Sequence, residues 1–115
     1  MTYPEDASVS KSVPDLVAEL ENFFVSCCDG EWEHCEGMTI ETLDNPGWAF
    51  KVDLEDTELF GLEFGSIEQH RSDDDWIICR VRNGTFEGFG GPRNLSEILA
   101  TFLGWARKSS ASDNG

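Results

Sequence analysis

The stretch WAFKVDL, residues 48–54, alternates without a break. Trp48, Phe50, Val52 and Leu54 fall on one side, and Ala49, Lys51 and Asp53 on the other. A two-residue period of that kind describes a strand buried on one face and wet on the other. Such a strand needs neighbours to take its backbone hydrogen bonds and a layer to cover its apolar side.

The flanking sequence supplies neighbours. In MTIETL (38–43), Met38, Ile40 and Thr42 share a face, and Asn45-Pro46-Gly47 reads as a type II turn, so 38–54 forms a hairpin. Phe60, Leu62 and Phe64 repeat the alternation, with Gly65 as a bulge ahead of Ile67-Glu68-Gln69-His70. Asp73-Asp74-Asp75 is a charged turn before WIICRVR (76–82). Asn83-Gly84 then marks a tight hairpin into TFEGF (85–89).

Two helices supply the cover. Val13, Leu16, Leu20, Phe23, Phe24 and Cys27 recur at helical spacing, which predicts a helix over about 13–27, capped by Ser12 with Asp15 in its first turn. Leu95, Ile98, Leu99, Phe102, Leu103 and Ala106 form the stripe of a second helix beginning at Asn94, with Glu97 completing a capping-box analogue. The fold expected is α+β: an antiparallel meander of four to five strands with an N-terminal and a C-terminal helix packed on one face. Residues 1–11 and 108–115 read as polar flexible ends of a single domain.

Charge narrows the partners. Twenty-three acids against eight bases give a formal net charge of −15, which repels nucleic acid and anionic membrane and steers the chain toward a basic partner. Adaptation to salt would give the same balance. The eight bases form no stripe of the kind nucleic acid needs. With no apolar run of membrane length and no secretory leader, the chain is expected to be cytoplasmic, its cysteines 27, 28, 35 and 79 reduced.

The densest chemistry lies in CCDGEWEHCEG, residues 27–37. Cys27, Cys28, His34 and Cys35 invite zinc, yet they come as two adjacent pairs, whereas structural zinc sites space their ligands two to four residues apart. A nucleophilic cysteine needs a cation or a helix N-terminus. Cys27 and Cys28 sit instead at a helix C-terminus beside Asp29 and Glu31. No cofactor motif is visible, and the enzymatic alternative is a sulfurtransferase-like or metal-dependent activity of the 27–36 loop. Trp32, in an acid-rich loop after a glycine, either anchors that loop or is offered to a partner.

Cys28-Asp29-Gly30, Trp32-Glu33-His34, Gly37, the run Thr42-Leu43-Asp44-Asn45-Pro46-Gly47-Trp48, Asp53-Leu54 with Thr57, and the closing NLSEILATFLGWA together resemble the signature of the immunity protein 53 family of bacterial polymorphic toxin systems. The resemblance covers about 16–107. It implies a small non-catalytic antidote that binds a cognate toxin domain. Many such toxins are nucleases with basic clefts, which an acidic inhibitor would complement. The expected recognition loop is Asp29, Glu31, Trp32, Glu33 and His34, with Asp44 and Asn45 beside it and Glu41 and Asp53 on the neighbouring sheet face.

Overall fold

A computed structural model describes residues 15–28, 37–55 and 57–112, with side chains as far as 109. The elements in chain order are α1 (Leu16–Cys27), β1 (Met38–Leu43), β2 (Gly47–Asp53), β3 (Ile67–Ser72), β4 (Asp75–Arg82), β5 (Thr85–Gly90) and α2 (Leu95–Ser112). The five strands form one antiparallel sheet in the order β1-β2-β5-β4-β3. The expected α+β architecture is therefore present, built as a hairpin (β1–β2) joined to a three-strand unit (β3–β4–β5) through the β2–β5 pairing.

The alternation in WAFKVDL becomes a division between two faces. Phe50 and Val52 are completely buried, together with Ile77 and Cys79 of β4 and Phe86 of β5. α2 lies over this face and contributes Ile98, Leu99, Phe102 and Leu103. Phe102 is the hub: its ring meets Phe23 at 5.0 Å, Phe50 at 5.5 Å and Phe86 at 4.9 Å between centroids. Such offset and edge-on contacts add to the gain from burial alone. α1 leans on α2 through Phe23 and an Arg107–Glu19 ion pair of 2.9 Å, and Leu20 reaches the core.

α2 approaches so closely because β5 offers glycine beneath it. A Cβ on Gly88 would stand 2.5 Å from Ile98 Cγ2, and one on Gly90 would stand 3.0 Å from Ile98 Cδ1. At the next turn of the chain, Asn83 and Gly84 both take positive φ, 55° and 75°, which is the backbone a two-residue hairpin matched to strand twist requires.

Several local expectations are corrected. The cap of α1 is Asp15, whose carboxylate accepts from the Ala18 amide at 3.1 Å; Ser12 lies outside the described residues. The β1–β2 turn is not type II, because the Asn45–Pro46 peptide is cis and Gly47 is already the first residue of β2. Residues 60–64 are not a strand. The Thr57 hydroxyl accepts from the Leu59 amide and donates to the Leu54 carbonyl, and Gly61 takes φ 84°, so the chain curls there. Phe64 still packs inward, 5.3 Å from Phe86 and 5.2 Å from Trp105, and the Trp105 indole donates to the Glu63 carbonyl at 2.9 Å. The connection thereby carries the chain across the helix-covered side from β2 to the far edge. The bulge falls between His70 and Ser72, not at Gly65. α2 also continues through the expected polar tail to Ser112.

Asn94 does more than open α2. It is 6% exposed, and its side-chain oxygen accepts from the Trp76 amide at 3.3 Å. Its amide group donates to Asp75 and to Glu97, each at 3.0 Å. Glu97 thus bonds the Asn94 side chain, where a capping box would have it accept from the backbone. Arg71 closes the cluster, reaching Asp75 at 2.8 Å and Glu97 at 2.7 Å. Its guanidinium, followed by the Asn94 amide, holds the Asp75 carboxyl below its ordinary range, and Glu97 is lowered first by Arg71 as well.

Candidate functional site

The two helices, with Leu59 and Phe64 of the connection, lie on one side of the sheet, and Glu41 and Asp53 belong to the strands' other side. Glu41 stands exposed on β1 opposite Ala49. Asp53, at the end of β2, is half-buried; its amide donates to the Gly37 carbonyl at 2.8 Å, and its carboxylate accepts from the Glu55 amide at 3.1 Å. Asp44 and Asn45 are exposed in the β1–β2 turn. Asp29, Glu31, Trp32, Glu33 and His34 lie outside the described residues.

Among the described positions, Asp53 and the Asp44–Asn45 turn do not come together. Gly37, where the 29–36 segment rejoins the sheet, pairs with Asp53 at one end of β1, and the 44–46 turn is at the other. Six residues of strand separate them, about 20 Å. Two clefts mark the same two ends. One of about 500 Å³ is lined by Asn45, His70, Arg71, Ser72, Asp73 and Trp76. The other, about 220 Å³, is lined by Gly37, Thr39, Lys51, Asp53, Glu55 and Thr85.

Between the clefts the register brings distant residues together. One cross-strand row runs Thr39, Lys51, Glu87, Arg80; the next runs Glu41, Ala49, Phe89, Ile78, Glu68. A third joins Asp53, Thr85 and Arg82. Arg80 pairs with Glu87 at 2.7 Å, and Arg82 approaches the same carboxylate at 3.7 Å, leaving the Glu87 side chain only 14% exposed. The Lys51 ammonium and the Arg80 guanidinium lie over the Phe89 ring at 5.9 and 5.5 Å. At the β3 edge His70 stacks on Trp76, 6.3 Å between centroids, and pairs with Glu68 at 3.0 Å.

Two of the chain's eight bases thus lie over one phenylalanine, and a third, Arg82, shares the Glu87 carboxylate with Arg80. Reading the sequence strand by strand misses this, because it depends on β2 lying beside β5. The available signal was the set of residues out of phase with the core: Lys51, Arg80, Arg82, Glu87 and Phe89.

Two of the three described thiols fit packing. Cys27 is half-buried against the core, and Cys79 is completely buried, its thiol pushed up to about 12 by burial. Cys28 Sγ donates to the Phe24 carbonyl at 3.3 Å, at the negative end of the helix dipole, where a thiolate is disfavoured. Among the described residues no three His, Cys, Asp or Glu side chains come together as a metal site, and no helix is long and apolar enough to cross a membrane. His34 and Cys35 fall outside those residues.

Comparison with family models matches immunity protein 53 over residues 17–107, well over half the chain. The chain belongs to the immunity protein 53 family. That assignment fixes the kind of role, immunity against a toxin, and takes in α1, the whole sheet and most of α2. Comparison with curated proteins and with solved structures matches nothing. For this member of the family, the toxin and the toxin-facing residues therefore rest on physical argument.

Proposed function

We propose that this protein neutralises a cognate toxin domain by stoichiometric binding that covers the toxin's working surface, without itself catalysing a reaction. Membership of the immunity protein 53 family carries the reading. The net charge of −15 supports a toxin with a basic surface, of which a nuclease is the leading class, since a charge of that size accelerates encounter with a cationic partner. The proposed recognition surface comprises the segment Asp29, Glu31, Trp32, Glu33 and His34, together with Glu41, Asp44, Asn45 and Asp53. In this scheme the acids pair with cationic groups of the toxin while the Trp32 indole fills a pocket. The partner is a protein, not nucleic acid or membrane.

Co-expression tests this directly, using the C-terminal domain of the toxin encoded beside the gene. The protein should restore growth and co-purify with that domain. Trp32→Ala or Glu33→Ala, folded as the parent, should lose affinity by about 2–5 kcal/mol, the range for truncating one partner of a buried interfacial pair. Failure of the parent protein to bind or protect would overturn the reading. Unchanged affinity in both variants would move the contact away from the 29–34 segment.

A further inference from the structure

The face of the sheet that no described helix covers gathers three of the chain's eight bases among four acids. Acids outnumber bases 23 to 8 in the chain, yet Lys51 on β2 and Arg80 and Arg82 on β4 stand on either side of β5, whose Glu87 is the carboxylate between them. Glu87 is occupied by Arg80 and Arg82. Lys51, although directly opposite Glu87 in the register, makes no ion pair among the described residues and lies over the Phe89 ring. Beside these cations the half-buried Phe89 and Ile78, with Ala49 3% exposed between its neighbours, form an apolar row across β2, β5 and β4. Glu41 and Glu68 close that row at its two ends, and Asp53 stands at the Gly37 end of β2.

Holding a sheet together explains only part of this. The Arg80–Glu87 pair links β4 to β5, but a cation left over an aromatic ring without a carboxylate stabilises the free protein little. The same cation beside apolar area is an anchor for an incoming carboxylate once water is excluded.

We propose that this face is a second part of the toxin-binding surface. It receives a segment of the toxin in which Asp or Glu carboxylates flank an apolar side chain, the carboxylates meeting Lys51 and Arg82 and the apolar group lying on Phe89 and Ile78. The inference rests on the reading that the protein binds a toxin, and it adds the sign of the contact. The molecule's net charge steers a basic toxin, while this face takes an acidic segment and so fixes one orientation. A single strand of nucleic acid also uses cations and rings on an open sheet. It fits less well, because a free polyanion would approach against a net charge of −15, whereas an acidic segment carried on a basic toxin would not.

The test is binding of the C-terminal domain of the neighbouring toxin to the parent protein, to Lys51→Glu, to Arg82→Gln and to the double variant, each checked for an unchanged melting temperature. The double variant should lose about a hundredfold in affinity, mostly through faster dissociation. Replacing a contacting toxin carboxylate by lysine should restore binding to Lys51→Glu and weaken it to the parent. Affinities within threefold of the parent for all variants would overturn the inference while leaving toxin neutralisation standing. Failure of the parent protein to bind would overturn both. Dimerisation of the free protein that Arg82→Gln abolishes, tighter toxin binding on deletion of residues 1–14, or capture of a labelled single-stranded oligonucleotide through Lys51 and Arg82 would assign the face to another occupant and overturn it as well.

Discussion

Phe102 shows how one side chain can hold several elements. Completely buried, it touches rings from α1, β2 and β5. Phe102→Ala should cost about 3–5 kcal/mol in denaturant unfolding, the usual range for emptying an aromatic core site. Gly88→Ala tests the opposite error, since its new methyl group would meet Ile98 at 2.5 Å; a loss of about 1–3 kcal/mol is expected in the same assay. The Arg71 cluster predicts a pH response. Asp75 and Glu97 are both held below their ordinary values in the folded chain, so the unfolded chain takes up protons first as pH falls. Their contribution is fully present above about pH 5 and is lost as pH drops through the folded values. Arg71→Gln should therefore flatten the acid limb of a plot of melting temperature against pH, and leave it unchanged if the cluster is inert. The buried hydrophobic residues were legible from period alone. Asn94 was legible as the residue before a helix but not as the buried link to β4 and Glu97, because its partners Trp76 and Asp75 lie 18 and 19 residues away.

At the scale of elements, local signals succeeded where the chain turns back on itself and failed where it travels. The Asn83-Gly84 hairpin is a local decision, and Gly84→Val should cost about 1–2 kcal/mol because a β-branched residue resists φ 75°. The β2–β5 pairing is not local. Nothing in WAFKVDL or TFEGF names the other, and the 54–66 connection read as another strand because Phe60, Leu62 and Phe64 alternate. Only Phe64 of the three turns into the core, held near the Trp105 indole that bonds the Glu63 carbonyl. Trp105→Phe should keep much of that packing and lose about 1 kcal/mol through the missing hydrogen bond, with faster amide exchange confined to 57–66 if the connection is tied down there.

For the whole molecule, family membership and charge point the same way. The net charge of −15 predicts that the rate of association with a basic toxin falls steeply with ionic strength, while the dissociation rate changes much less. The candidate site was legible in part: the sequence placed Glu41 and Asp53 on a sheet face, but the gathering of Lys51, Arg80 and Arg82 on that face needs the strand order. The central claim, neutralisation by stoichiometric binding, is tested most directly by titrating the activity of the neighbouring toxin domain with this protein. Inhibition should be complete at a fixed molar ratio that does not depend on incubation time. Inhibition that progresses at substoichiometric amounts, as an enzyme acting on the toxin would give, or residual activity at saturating protein, would contradict it.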